Sequence, residues 1–209
     1  MLFFPVLLFK TSSRFNPDIR VVREWGGMKL LVNRSRQSGP YIKKLWERAF
    51  RAFRLDTVGT IKSILVLGIG GGTVIDSLAK QYPTATITAV DIDPTIINIA
   101  KEYFGVSKLP NVGLVQEDAE KFVYKKMKPF DLIIVDLFIG REIPKFVESV
   151  LFHRALKRLC ASDSVMVINY LRELEYQKKS DALFQTLKTI FRDVRDFPVA
   201  NNRFFFARP

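Results

Sequence analysis

Three aspartates and one glycine-rich turn carry residue types and spacing that could do chemistry. The stretch from Leu65 to Val74, LVLGIGGGTV, runs from an apolar segment into four glycines within five positions: Gly68, Gly70, Gly71 and Gly72. Such a turn lets a ligand come against bare backbone amides. Asp91 and Asp136 each close an apolar run, and Asp118 follows a third such run by two residues. A carboxylate in that position accepts hydrogen bonds from hydroxyl and amino groups, and one with a tuned pKa can take a proton. The candidate ligands are a dinucleotide, a nucleoside triphosphate, or an adenosine-based donor such as S-adenosylmethionine.

Spacing narrows the choice. The phosphate-cradling pattern G-x-x-x-x-G-K-[ST] is absent, because no lysine follows the glycines. The dinucleotide pattern G-x-G-x-x-G needs glycine at position 73, where Thr73 stands. The pattern G-x-G-x-G fits Gly68, Gly70 and Gly72 and is similar to the first motif of class I S-adenosylmethionine-dependent methyltransferases. Asp91 lies 23 positions beyond Gly68, where an acidic residue at the tip of a second strand accepts ribose hydroxyls. Asp118, in Gln116-Glu117-Asp118-Ala119, is either a helix cap or an acceptor for an adenine amino group. Asp136 ends Phe130-Asp131-Leu132-Ile133-Ile134-Val135-Asp136, at the carboxyl end of a central strand, where open α/β sheets bind ligands.

The elements that must position these residues alternate from Ile61 onward. Strands are expected at Ser63–Leu67, Thr86–Val90, Val112–Val115, Leu132–Val135 and Val165–Ile168. Helices are expected at Thr73–Gln81, Pro94–Phe104, Ala119–Lys126, Pro144–Leu159 and about Glu173–Phe191. Unbroken apolar strands between helices imply a doubly wound α/β fold with a parallel sheet covered on both faces. Runs at Asp193–Phe197 and Arg203–Ala207 around a turn predict an antiparallel closing hairpin, for seven strands in a Rossmann-like methyltransferase sheet. Upstream, Ile19–Arg23 and Lys29–Val32 flank Gly26-Gly27 as a hairpin. Ser38-Gly39-Pro40 then opens an amphipathic helix with Ile42, Leu45, Trp46, Ala49, Phe50 and Phe53 on one face. The reading is therefore an N-terminal hairpin and helix over residues 1–58 and the main domain over 59–209.

Composition bounds the rest. The lone Cys160 excludes an intrachain disulfide framework and fits a reducing, cytoplasmic compartment. With one histidine, His153, no Cys/His set has metal spacing, and no metal is expected; His153 reads as an ordinary helix-surface or half-buried imidazole. The apolar start MLFFPVLLF is shorter than the roughly 20 residues that span a bilayer. It reads as a strand, or as a scar where a longer chain was cut. Net charge is +12, and residues 1–60 hold 12 Lys/Arg against 4 Asp/Glu. That basic third suggests an anionic partner such as nucleic acid or an acidic substrate.

The ordered set resembles the spermidine synthase (polyamine aminopropyltransferase) family over nearly the whole chain. It runs from Leu31-Val32-Asn33-Arg34-Ser35-Arg36-Gln37-Ser38 through the glycine turn, Asp91-Ile92-Asp93, Glu117-Asp118-Ala119 and Asp136 to the loop Leu137–Pro144. The resemblance implies that Gln37, Gly68, Gly70, Gly72, Asp91, Ile92, Asp118 and Ala119 bind S-adenosylmethionine or its decarboxylated form. It also implies that Asp136 is catalytic, that Tyr41 matches a tyrosine of the following helix, and that the hairpin and first helix are a candidate homodimer contact. Two departures stand out. The family's glycine motif, G-G-G-D-G-G, has an aspartate where Gly71 stands, and its D-S-[ST]-D-P loop has a second aspartate where Ile139 stands. With two carboxylates fewer, putrescine is expected to be a poor acceptor. The alternatives are a methyltransferase acting on an anionic substrate or nucleic acid, and a non-catalytic nucleoside-binding module. The acceptor is not named by the sequence.

Overall fold

The computed structural model describes residues 4–173 and 175–209. Its first sheet has four antiparallel strands in sequence order: β1 (Val6–Thr11), β2 (Ile19–Glu24), β3 (Gly27–Val32) and β4 (Ser35–Ser38). The expected hairpin is the β2–β3 pair, and β1 and β4 extend it on either side. Helix α1 (Pro40–Ala52) follows, with Pro40 at its first turn, where a missing N–H costs nothing.

The second sheet takes the rest of the chain. Strand β5 (Ser63–Leu67) leads through the glycine turn into α2 (Thr73–Gln81), then β6 (Thr86–Asp91), α3 (Pro94–Tyr103), β7 (Val112–Gln116) and the short α4 (Ala119–Phe122). After these come β8 (Phe130–Val135), α5 (Val150–Arg158), β9 (Cys160–Leu171), α6 (Tyr176–Ile190), β10 (Asp193–Val199) and β11 (Asn202–Arg208). The strand order is β10-β11-β9-β8-β5-β6-β7. Strands β5 to β9 are mutually parallel, and β11 inserts antiparallel between β9 and β10. The closing hairpin is therefore antiparallel as read, and β11 is the one strand that opposes the others.

The order reverses beside β5, because the chain goes outward through β6 and β7 and returns to pair β8 on the other side of β5. That reversal opens a crevice at the carboxyl ends of β5 and β8, the switch point where such sheets bind ligands. Period-two alternation splits each strand between two cores. Ile64 and Val66 of β5, with Leu132 and Ile134 of β8, join α1 and α2 on one face. Leu65, Leu67, Ile133 and Val135 face α5 and α6 on the other. Helix α1, grouped with the hairpin in the sequence reading, buries Trp46 against Phe204 of β11 at 4.9 Å between ring centroids. The small sheet rests instead on α3, through Ile19, Val21, Leu30 and Val32 against Ile96 and Ile99.

Several expectations need correction. The helix read over Pro144–Leu159 is split: a 3-10 turn spans Lys145–Glu148, and Ser149 then caps α5, its hydroxyl accepting from Leu151 N at 3.2 Å. The helix read to Lys126 ends at Phe122, and the one read from Glu173 starts at Tyr176. His153 is fully buried rather than superficial. Its Nε2 bonds Val147 O at 2.7 Å, and burial lowers its pKa to about 4, so it is neutral. Among the described residues, no helix is long and apolar enough to cross a membrane, and no cluster of side chains could hold a metal ion.

Candidate functional site

The glycine turn is shaped by its neighbours. A side chain at Gly68 would put its Cβ 2.1 Å from the carbonyl oxygen of Asp136, and Gly68 sits at φ 95°. Only glycine lets β5 and β8 close together at their carboxyl ends. Gly68 N donates to Val90 O at 2.8 Å, and Ile69 N donates to Asp91 Oδ2 at 2.9 Å. The other Asp91 oxygen accepts from Asp93 N at 3.0 Å. Asp91 thus ties the turn after β5 to the tip of β6. Burial raises its pKa, against the opposing effect of these amides.

One cavity runs along this edge. Gln37, Gly68, Gly70, Asp91, Ile92, Asp118, Ala119 and Asp136 all line it. Of the residues expected to bind the donor, Gly72 does not line it: it precedes α2, and the space beside its α-carbon is filled by Val106. Asp118 does cap α4, accepting from Glu120 N at 2.9 Å, and it also lines the cavity. The two readings of Asp118 are compatible in geometry.

Some lining residues escaped the sequence reading. Phe15 and Asn16, from the connection between β1 and β2, reach the cavity along with Val32. The β1–β2 connection is held there by Asp93, which is nearly fully buried. Its Oδ2 accepts from the Ser13 hydroxyl and from Asn16 Nδ2 at 2.9 Å, while Oδ1 caps α3 through Thr95 N at 3.0 Å. The Asp91-Ile92-Asp93 run is the available signal, and it points to Asp91 and Ile92 but not to Asp93.

Asp136 is at the cavity floor. Its Oδ1 accepts from Asn169 Nδ2 at 2.8 Å, and Asn169 Oδ1 accepts in turn from Asn202 Nδ2 at 2.8 Å. The indole N–H of the buried Trp46 faces the same carboxylate and closes no hydrogen bond. Burial lifts the Asp136 carboxyl to about 6, with Asn169 and Trp46 pulling the other way. A group near that value is a carboxylate at neutral pH and still basic enough to receive a proton.

The loop after β8 closes one wall with Leu137, Phe138 and Ile139. It folds back on itself between Ile139 and Glu142, with amide–carbonyl bonds of 2.8 and 3.0 Å. Gln37 Nε2 donates to Gly140 O, and Arg141 pairs with Glu173. The loop is thus pinned from both sides. Gly71, where the resemblance expects an aspartate, faces away into Ser38: its amide donates to Ser38 Oγ at 2.6 Å. A Cβ there would lie 2.7 Å from Ser38 Cβ and 3.2 Å from the Phe104 ring.

The sequence profile of the spermine/spermidine synthase domain matches residues 50–202. A polyamine aminopropyltransferase of Vibrio vulnificus is 30% identical over 139 residues, which is 65% of this chain and 46% of that protein. The chain thus spans about half the length of that relative. A probable spermidine synthase from Corynebacterium glutamicum superposes with a TM-score of 0.81 at 20% identity, over 96% of this chain and 79% of that one. A spermidine synthase in complex with the transition state analogue AdoDATO gives 0.78 at 14% identity, over 96% and 71%. None of these relatives supports the expectation, drawn from Gly71 and Ile139, that putrescine is a poor acceptor. With more than half its length matched by that profile, the chain belongs to the spermine/spermidine synthase family.

Proposed function

We propose that the protein is a transferase that binds S-adenosylmethionine or its decarboxylated form in this cavity. It moves an alkyl group of the sulfonium, in the first instance aminopropyl, to an amine. The observation that carries the proposal is Asp136: a carboxyl lifted to about 6 in the same cavity as the glycine turn, Asp91 and Asp118. Asp91 accepts the ribose hydroxyls through lone pairs its two backbone amides leave free, since each carboxylate oxygen accepts more than one bond. Asp118 Oδ2 and the Ala119 amide edge meet the adenine. The apolar wall of Phe15, Ile96 and Phe138 encloses the nucleoside.

Transfer is an in-line displacement that depends mainly on positioning. The amine lone pair attacks the carbon next to sulfur, the C–S bond breaks, and sulfur leaves as a neutral thioether. The proton released by the new ammonium goes to the Asp136 carboxylate. Asn169 fixes that carboxylate, and Asn202 fixes Asn169.

The test is mass-spectrometric product analysis with each donor and a panel of amines. A donor-derived thioether with an alkylated amine is expected from the unmodified protein, at a rate that rises with pH through about 6. Asp136→Asn should lower kcat by about 10²–10⁴-fold, the usual share of a general base. Full activity in Asp136→Asn would refute the role.

A further inference from the structure

Two hydrogen-bond donors approach the Asp136 carboxylate from one side of the sheet. Period-two alternation puts Ile134 with α1 and α2 and Val135 on the opposite face, so Asp136, the next residue, returns to the α1 side. Asn169 stands opposite Phe204 in the β9–β11 ladder, and opposed residues share a face. Its amide is already bonded to Asp136 Oδ1. Helix α1 brings Trp46 to the same place. The ring is fully buried, edge-on to Phe204 at 4.9 Å and tilted against Phe50 at 5.3 Å between centroids. Two aromatic neighbours thus hold the plane of the indole. Its Nε1 closes no hydrogen bond, which is costly for a buried donor, and the acceptor it faces is Asp136. Trp46 lines neither the donor cavity nor the hollow beyond Asp136, so it reaches a substrate only through that carboxylate.

We infer that Trp46 is a positioning residue for the transfer: its indole N–H closes on the ionised Asp136 carboxylate, and with Asn169 it fixes the direction in which that carboxylate meets the amine. The inference rests on the reading of Asp136 as the proton acceptor and specifies what holds it in place. An indole N–H donates and never accepts, so Trp46 takes no part in moving the proton. An ionised carboxylate has about four acceptor sites, and Asn169 with Trp46 would use two, which leaves room for the amine. Hydrogen bonds of this kind are commonly long or misaligned before substrates bind and tighten in the complex. Closure is worth more to the anion than to the neutral acid, because a bond to an ionised acceptor is the stronger one. Trp46 therefore keeps Asp136 ionised at a lower pH than burial alone would allow. Other charged groups line the spaces on either side of Asp136: Asp91, Asp93 and Asp118 in the donor cavity, and Arg34, Arg36, Arg141 and Glu173 in the hollow beyond. The groups that act on its pKa are Asn169 and Trp46, against burial.

The indole itself is the first probe. The chain has two tryptophans, so its ¹H–¹⁵N spectrum holds two indole signals, and Trp25→Phe assigns them. With methylthioadenosine bound, the Trp46 indole proton should move downfield as pH rises, with a midpoint of about 6, and should not move in Asp136→Asn. That control separates Asp136 from the other charged groups nearby. The second probe is Trp46→Phe, which keeps an aromatic ring and removes the N–H. Its acid limb of kcat should shift up by about one pH unit, the displacement that loss of one hydrogen bond to a charged group produces. On that limb the rate falls about tenfold, and at higher pH it recovers, while methylthioadenosine affinity stays nearly constant. Damage to the core alone would lower kcat evenly and leave the limb in place. A Trp46 indole signal that does not titrate in the unmodified protein, or a folded Trp46→Phe protein whose acid limb stays where it was, overturns the inference. If Trp46→Phe does not fold, the indole titration decides. Full activity in Asp136→Asn would instead overturn the proton-acceptor reading, so the two failures are distinct.

Discussion

At the scale of single residues, Asp91 has two duties that can be separated. It receives the Ile69 and Asp93 amides, and it is proposed to receive the ribose hydroxyls. Asp91→Ala removes both, and hydrogen bonds to a charged group are each worth about 1.5–3 kcal/mol. Methylthioadenosine affinity should fall by about tenfold to 100-fold in calorimetry. A loose turn alone would produce some of that loss, so the ligand supplies the control. Replacing methylthioadenosine by its 2′-deoxy analogue should weaken binding to the unmodified protein and make little difference to the variant. Equal penalties in both proteins would remove Asp91 from the ribose. Gly71 poses the opposite problem, since the missing aspartate cannot simply be restored. Its Cβ would strike Ser38, whose hydroxyl holds the Gly71 amide. Gly71→Asp alone should lower the thermal midpoint, and adding Ser38→Gly, which clears the space, should recover part of it. A midpoint unchanged by Gly71→Asp would show that β4 yields freely there.

At the scale of elements, the parallel core was legible because burial on both faces leaves an unmistakable trace. Ser63–Leu67 and Thr73–Gln81 form over the spans that their apolar runs and periodicity indicate. The small sheet was half legible. Strand β4 reads Ser-Arg-Gln-Ser, with no apolar residue, and exists because β3 offers it a ladder. Nothing local marks Phe15 as a cavity wall, because Asp93, 78 positions away along the chain, is what fixes its neighbourhood. Such long-range buried hydrogen bonds leave no periodic signal. Gln37 is another case. The resemblance implies a ligand contact for it, and in the structure it lines the cavity while its amide also donates to Gly140 O, which ties β4 to the loop after β8. Gln37→Ala should therefore free that loop. Backbone amides of residues 137–143 should exchange hydrogen faster, with KM rising for donor or acceptor and the global midpoint nearly constant. Unchanged exchange in that loop would mean that the Arg141–Glu173 pair suffices to hold it.

At the scale of the whole molecule, the site and the core place opposing demands on stability. Asp136 is lifted to about 6 by burial, and burial raises Asp91 as well. Between about pH 4 and 6 the folded chain holds more protons at Asp136 than the unfolded chain does, and the raised Asp91 acts in the same sense. Their contribution to stability therefore falls as pH rises through that window. His153 does the reverse. Its pKa is lowered to about 4 by burial, so the unfolded chain holds more protons from about pH 4 to 6.5, and this contribution grows as pH rises. At about 1.4 kcal/mol per tenfold, the Asp136 and His153 displacements are each on the order of 3 kcal/mol. Water in the open cavity trims the Asp136 share. The two effects largely cancel, which predicts a nearly flat stability from pH 4.5 to 7 in the unmodified protein. Removing either partner should tilt it. Asp136→Asn leaves His153 dominant, so the urea midpoint should climb with pH and exceed that of the unmodified protein at pH 7. His153→Gln keeps a donor for Val147 O and leaves the carboxylates dominant, so its midpoint should decline with rising pH. Midpoints measured at pH 4.5, 5.5 and 7 for the three proteins check the signs directly, and parallel profiles would show that neither group is displaced as its surroundings imply. A cavity carboxylate lifted by burial thus weakens the fold near neutral pH, while a buried neutral imidazole in α5 offsets that loss over the same range.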